Sequence, residues 1–289
     1  MTGAASQRSC RRICSVTAAT VLAGLSVLLS SAGTAYASPG GSDGYYLLTT
    51  KGHVFNYGTT WFGSPAVAKP ATALMGIATT PDGQGYWTVT AAGNVYNFGD
   101  AKWYGSPAQQ AAGSASMGIA ADVATGGYWI VLANGAVKNF GAPWFGSAAQ
   151  LNLTSPVMGI ASMPDGMGYD LVTASGNVYN FGSAKWAGSN AGLHSSVATT
   201  GIAIDPVTGG YWVCSANGSV SAFGAPWFGD AAAAHATTPV MGIAATGDGQ
   251  GYWLTTGLGN VYNFGDTRWY GSLAGAALPD PVLAIASGS

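Results

Sequence analysis

Apolar and polar positions repeat along the chain with a period of about 41 residues. One unit shows the pattern. The apolar run Met75-Gly76-Ile77-Ala78-Thr79 predicts a strand, and Pro81-Asp82-Gly83 a tight turn. Asp-Gly is a strong hairpin signal. Tyr86-Trp87-Thr88-Val89-Thr90 predicts a second strand and Ala92-Gly93-Asn94 a second turn. Val95-Tyr96-Asn97-Phe98 predicts a third strand. Lys102-Trp103-Tyr104 predicts a brief fourth, ending at Gly105-Ser106. An Ala/Ser/Pro-rich connection then leads to the next unit. No window carries helical periodicity of useful length.

The frame opens six times, at Gly44, Gly85, Gly127, Gly168, Gly210 and Gly251, with starts 41 or 42 residues apart. Four short antiparallel strands in about 40 residues is the size of one propeller blade. The first unit lacks the GIA-type strand seen at Gly76-Ile77-Ala78. The chain ends on such a strand, Ala284-Ile285-Ala286, with no unit after it. The last strand is therefore expected to complete the first blade. This predicts an all-β, six-bladed propeller over 44–289, closed without a free sheet edge between first and last units. An open solenoid would want polar caps instead. The small GIA residues suit an innermost strand, and the aromatics suit the wider gaps between blades. Alternate units share turn and corner types, so the ring also reads as three two-blade units.

Composition changes the picture mainly at the start of the chain. Arg8, Arg11 and Arg12 precede an apolar run from Ile13 to Leu29, followed by Ala35-Tyr36-Ala37. This is the layout of a secretory signal peptide over 1–37. An uncleaved anchor is the rival reading. Arg11-Arg12 suggests twin-arginine export, but its flanks fit that motif poorly. Residues 38–43 (SPGGSD) read as a linker. After cleavage six Lys and Arg stand against eleven Asp, a net charge of −5. No basic stripe exists, which argues against nucleic acid and against attachment to an acidic membrane. Only Cys214 of three cysteines survives, so no internal disulfide is expected.

Candidate chemistry is sparse. Trp61, Trp103, Trp144, Trp186, Trp227 and Trp269 stand at the WYG or WFG corner of each unit. Exposed aromatic faces bind the apolar faces of pyranose rings. Asn97, Asn180 and Asn263 on the third strand could supply polar contacts. The opposing reading puts these tryptophans in the packing between blades, as it does for Trp87, Trp129, Trp212 and Trp253. Asp82, Asp165 and Asp248 read as turn residues bonding their own backbone, and Asp100 and Asp266 likewise. No D-x-D-x-D-G cluster supports calcium. The turn before Trp87 resembles a sialidase Asp box, but the mature chain holds one arginine, Arg268, too few for that chemistry. There is no Glu, no G-x-S-x-G elbow, and the histidines His53, His194 and His235 occupy no repeated position. Cys214 reads as a small buried hydrophobe. No metal, cofactor or catalytic residue is assigned.

The unit GYW-(four)-GNVYNFGDA-x-WYGS resembles a repeat common in secreted actinobacterial proteins, of the general form GYWLVASDGGVFSFGDAxFYGS. There it occurs alone or beside cell-wall hydrolases and peptidases. The resemblance covers 44–289 and implies secretion without implying catalytic residues. The third and fifth copies depart at Ala142-Pro143 and Ala225-Pro226. The fourth departs at Asp170 and Ala187. The architecture is also similar to tachylectin-type and WD-repeat-like propellers, and fold alone does not fix function. The expectation is a secreted monomer acting as a non-catalytic binding module for carbohydrate or cell-envelope glycan. The alternatives are a scaffold for an extracellular protein partner and an Asp-dependent hydrolase in the channel mouth.

Overall fold

Each repeat folds into three antiparallel strands, because three apolar runs are separated by turns that only a few residues allow. The computed structural model describes residues 44–288, apart from 111–112, 193–196 and 233–237. The signal peptide and linker expected over 1–43 lie outside the described residues, as do His194 and His235. The strands are β1 (Tyr45–Thr49), β2 (Val54–Tyr57), β3 (Leu74–Thr79), β4 (Gly85–Thr90), β5 (Val95–Gly99) and β6 (Ser116–Ala121). Then come β7 (Tyr128–Leu132), β8 (Val137–Phe140), β9 (Val157–Ser162), β10 (Gly168–Thr173), β11 (Val178–Gly182) and β12 (Thr199–Ile204). The last are β13 (Tyr211–Ser215), β14 (Val220–Phe223), β15 (Val240–Ala245), β16 (Gly251–Thr256), β17 (Val261–Gly265) and β18 (Val282–Ser287). Short 3₁₀ turns occupy Pro65–Ala68 and Pro107–Gln110.

The strands form six three-stranded sheets in a propeller-like arrangement. Sheets 2 to 6 take consecutive triplets from β3 onward. Sheet 1 is β18-β1-β2, so the final strand pairs with the first, Tyr45 opposite Ser287 and Thr49 opposite Val282. The expected exchange of the last strand into the first sheet is observed. The strands that lead the sheets are buried along their whole length. They also touch in cyclic order: β3 against β6, β6 against β9, β9 against β12, β12 against β15, β15 against β18, and β18 against β3. All six carry a register shift at the same place, beside the residue preceding Gly-Ile-Ala or its equivalent. A bulge of this kind bends and twists a strand. The small residue after it is a matter of size: a methyl on Gly118 would sit 3.5 Å from Ile160, and Ala284 fills the equivalent position in sheet 1.

Side chains of the middle strands stitch neighbouring sheets together. The tyrosine of each GY pair donates its hydroxyl to the carbonyl of the preceding unit's corner glycine. Tyr86 reaches Gly63 at 2.5 Å, Tyr128 Gly105, Tyr169 Gly146 and Tyr211 Gly188 at 2.6 Å, and Tyr252 Gly229 at 2.5 Å. Tyr45 donates to Gly271, which carries the series from sheet 6 to sheet 1. Burial raises these phenols, to about 12 for Tyr45, Tyr169 and Tyr252, so they remain donors at any ordinary pH. Each corner glycine also lies under an aromatic ring of the following unit. A Cβ on Gly105 would meet Phe140 at 2.8 Å, and its φ of 131° already disfavours side chains.

The predicted fourth strand is not formed. Lys102-Trp103-Tyr104 runs beside the outer strand, but side chains satisfy its backbone in place of a ladder. The Asn97 amide donates to the Ala101 carbonyl at 2.7 Å and the Trp87 indole to the Lys102 carbonyl at 2.8 Å. The Tyr104 N–H donates to the Tyr128 hydroxyl at 3.2 Å. With these groups taken by side chains, the segment forms no ladder with the outer strand.

Candidate functional site

The two tryptophan sets part company in the structure. Trp87, Trp129, Trp212 and Trp253 on the middle strands are at most 1% exposed. Each ring packs on the tyrosine of the next sheet, at 5.3 Å from Trp87 to Tyr128, 5.3 Å from Trp129 to Tyr169, 5.2 Å from Trp212 to Tyr252 and 5.4 Å from Trp253 to Tyr45. Their indoles donate to the residue just before the corner tryptophan: Lys102, Pro143, Pro226 and Arg268. Tyr46 does the same for Thr60 in sheet 1. These residues are core and splint together.

The six corner tryptophans are all exposed, from 47% for Trp103 to 68% for Trp186. Leaving so large a side chain in water forgoes about 1.5–3 kcal/mol of burial each time. A single exposed aromatic needs no explanation, but six at one structural position form a repeated surface feature. Beneath Trp103, Trp144 and Trp269 the backbone is held by a buried indole, the next sheet's tyrosine hydroxyl and an outer-strand asparagine. Beneath Trp61, Tyr46 replaces the indole. The Trp227 corner lacks the asparagine bond, and the Trp186 corner lacks both it and the indole. Trp61 and Trp227 are tethered further, their indoles donating to Val54 at 3.3 Å and Val220 at 3.0 Å at the start of their own outer strands. Those two corners present tethered aromatic platforms.

The asparagines serve the corner before they can serve a ligand. Asn97 and Asn263 donate across it to Ala101 at 2.7 Å and Thr267 at 3.0 Å, and Asn139, which sequence reasoning passed over, does so to Ala142 at 2.7 Å. Asn180 instead donates to Asp170 at 2.6 Å. Asn97 also lines a cleft of about 340 Å³ with Ser64, Val67 and Phe98 between sheets 1 and 2.

The aspartates behave as turn residues. Asp82, Asp165 and Asp248 accept the backbone N–H two residues on, at 3.1, 2.8 and 3.0 Å. Asp122 and Asp205 close their turns onto Thr125 and Thr208. Asp82 and Asp100 lie close enough to influence each other. The Thr80 hydroxyl holds Asp82 below the usual carboxylate range, while burial and Asp82 push Asp100 above it. Both are exposed and neither lines a cleft described here. Among the described residues no three His, Cys, Asp or Glu side chains converge as a metal site would require. Cys214 is buried, and burial pushes its thiol up to about 12. No helix among the described residues is long and apolar enough to cross a membrane.

One junction differs from the rest. Between sheets 4 and 5 the middle-strand aromatic is replaced by Asp170 and the corner ring by Ala187. Asp170 is wholly buried, one oxygen held by Asn180 and the other without a protein hydrogen-bond partner. Burial raises its carboxyl to about 7. A cleft of about 410 Å³ opens at this junction, lined by Met163, Lys185, Ala187, Thr208 and Gly224 among others. The two departures were visible in the sequence as losses, but their meeting at one junction was not.

Comparison with family models and with curated proteins finds no match to this chain.

Proposed function

We propose that the six sheets are the blades of a closed propeller that works outside the cell as a non-catalytic binding module. Its ligand is carbohydrate or cell-envelope glycan. The observation that carries this reading is the uniform exposure of the six corner tryptophans beside four wholly buried ones. Packing would have hidden both sets. An exposed indole on an ordered backbone stacks on a pyranose ring at the cost of ordering one side chain. Several weak sites on one rigid body gain by avidity when the ligand is a polymer. The cyclic contacts of the inner strands and the Tyr45–Gly271 hydrogen bond support closure. The leader pattern and the resemblance to secreted actinobacterial repeats support export.

The test is retention on insoluble polysaccharides, including peptidoglycan, chitin and cellulose. The protein binds at least one. The double variant Trp103→Ala with Trp269→Ala loses most of that retention while its unfolding midpoint stays put. If no polysaccharide retains the protein, or if the variant simply unfolds, the glycan reading fails.

A further inference from the structure

We infer that the cleft between sheets 4 and 5 is a binding site for a single aromatic ring, of the phenyl or phenol class. It is separate from the corner platforms and does not rest on the glycan reading. The inference comes from what occupies the same place elsewhere. At the other five junctions the residue after the corner tryptophan is an aromatic packed on the next sheet's tyrosine. Ring centroids are 5.9 Å apart for Phe62 and Tyr86, 6.1 Å for Tyr104 and Tyr128, and 6.0 Å for Phe145 and Tyr169. They are 5.9 Å apart for Phe228 and Tyr252 and 6.1 Å for Tyr270 and Tyr45. Only Tyr211 lacks this partner, because Ala187 stands there.

The glycine that would face the ring is nevertheless still in place, and it lines the cleft. At three other junctions the glycine ending the outer strand lies against the corner ring. A Cβ on Gly141 would meet Tyr104 at 2.5 Å, on Gly58 Tyr270 at 2.6 Å, and on Gly99 Phe62 at 3.0 Å. Gly224 has kept its positive φ of 66°, yet faces only the Ala187 methyl, at 3.2 Å, and Gly210. Where three other junctions place a ring against this glycine, the cleft has only Ala187.

The cation that would cover the ring is also present. Lys102 stands 5.2 Å from the Tyr104 ring centre, and Arg268 5.3 Å from that of Tyr270. Lys185 holds the same position relative to Ala187 and lines the cleft. Among the described residues it makes neither an ion pair nor a ring contact. A cation over a ring face is attractive, more so for an electron-rich ring. The cleft, at about 410 Å³, lies within the usual range of small-ligand sites. Its missing element is one that a ligand, or a tyrosine side chain on a partner peptide, brings with it.

The test is titration with p-cresol, N-acetyltyrosinamide and cyclohexanol, read by amide NMR shifts at Gly210 and Gly224. The two aromatics shift these amides saturably and cyclohexanol does not. Tighter binding of N-acetyltyrosinamide assigns the ring to a peptide, and tighter binding of p-cresol to a free phenol. Ala187→Tyr supplies the ring internally and abolishes the shifts. Lys185→Met, which leaves the cleft's packing alone, weakens p-cresol binding about two- to five-fold. Absence of saturable shifts with either aromatic overturns the inference. So does undiminished binding in Ala187→Tyr, or equal binding of cyclohexanol.

Discussion

Asp170→Asn should stabilise the protein, and by an amount that grows with pH. The position holds Tyr46, Trp87, Trp129, Trp212 or Trp253 in the other sheets, all buried. Here a carboxyl is sealed from water, and burial raises it from 3.8 to about 7 against the opposing hydrogen bond from Asn180. The folded state thus holds a proton that the unfolded chain has released over the interval between roughly pH 4 and 7. Stability then falls as pH rises through that interval. The linkage relation puts the cost at about 1.5 kcal/mol at pH 5 and on the order of 4 kcal/mol at pH 8. Tyr211 beside it is itself raised by burial and stays neutral throughout. An Asn side chain keeps the shape and removes the titration. Urea unfolding of both proteins, followed by circular dichroism from pH 4 to 8.5, isolates the effect. The variant's advantage should widen by about 2.5 kcal/mol between pH 5 and 8. An advantage that is independent of pH, or one that shrinks as pH rises, would refute the reasoning.

Three other substitutions separate core from surface and probe the first-to-last junction. Trp129→Ala should cost about 3–5 kcal/mol, whereas Trp144→Ala one corner away should stay within about 0.5 kcal/mol, both by urea denaturation. Asp280 precedes β18 and accepts from the Lys51 N–H at 2.6 Å and pairs with His53 at 2.9 Å. Asp280→Ala should therefore cost about 2 kcal/mol near pH 7. Burial alone would raise the Asp280 carboxyl, but its hydrogen bonds and His53 hold it below the usual value. Its contribution is thus present above the ordinary carboxylate range and fades as pH falls below it. The gap between wild type and variant should close in acid.

Much of the fold was legible because it repeats. Six copies of one pattern locate eighteen strands, and the orphaned Ala284-Ile285-Ala286 strand announces its pairing with the start of the chain. The fourth strand was misread because Lys102-Trp103-Tyr104 looks like strand by composition. Only the structure reveals that Asn97, Trp87 and Tyr128 take its backbone groups. The two tryptophan sets could not be told apart by residue type. What separates them is position: mid-strand indoles face the next sheet, while corner indoles follow a turn that throws them outward. The cleft between sheets 4 and 5 was harder still. Asp170 and Ala187 are seventeen residues apart, and each reads alone as the decay of a motif. Only pairing across sheets puts both losses against Tyr211.

The central claim is that the corner tryptophans, and not their buried counterparts, form the ligand surface. Fluorine NMR of the protein labelled with 5-fluorotryptophan tests it directly, since all ten tryptophans lie within the repeats. A soluble paramagnetic agent should broaden six resonances, assigned by substitution to residues 61, 103, 144, 186, 227 and 269. A soluble fragment of the polysaccharide that retains the protein should then shift members of that set and leave the other four in place. Shifts confined to the four buried residues, or no shift among the six at saturating fragment, would contradict it.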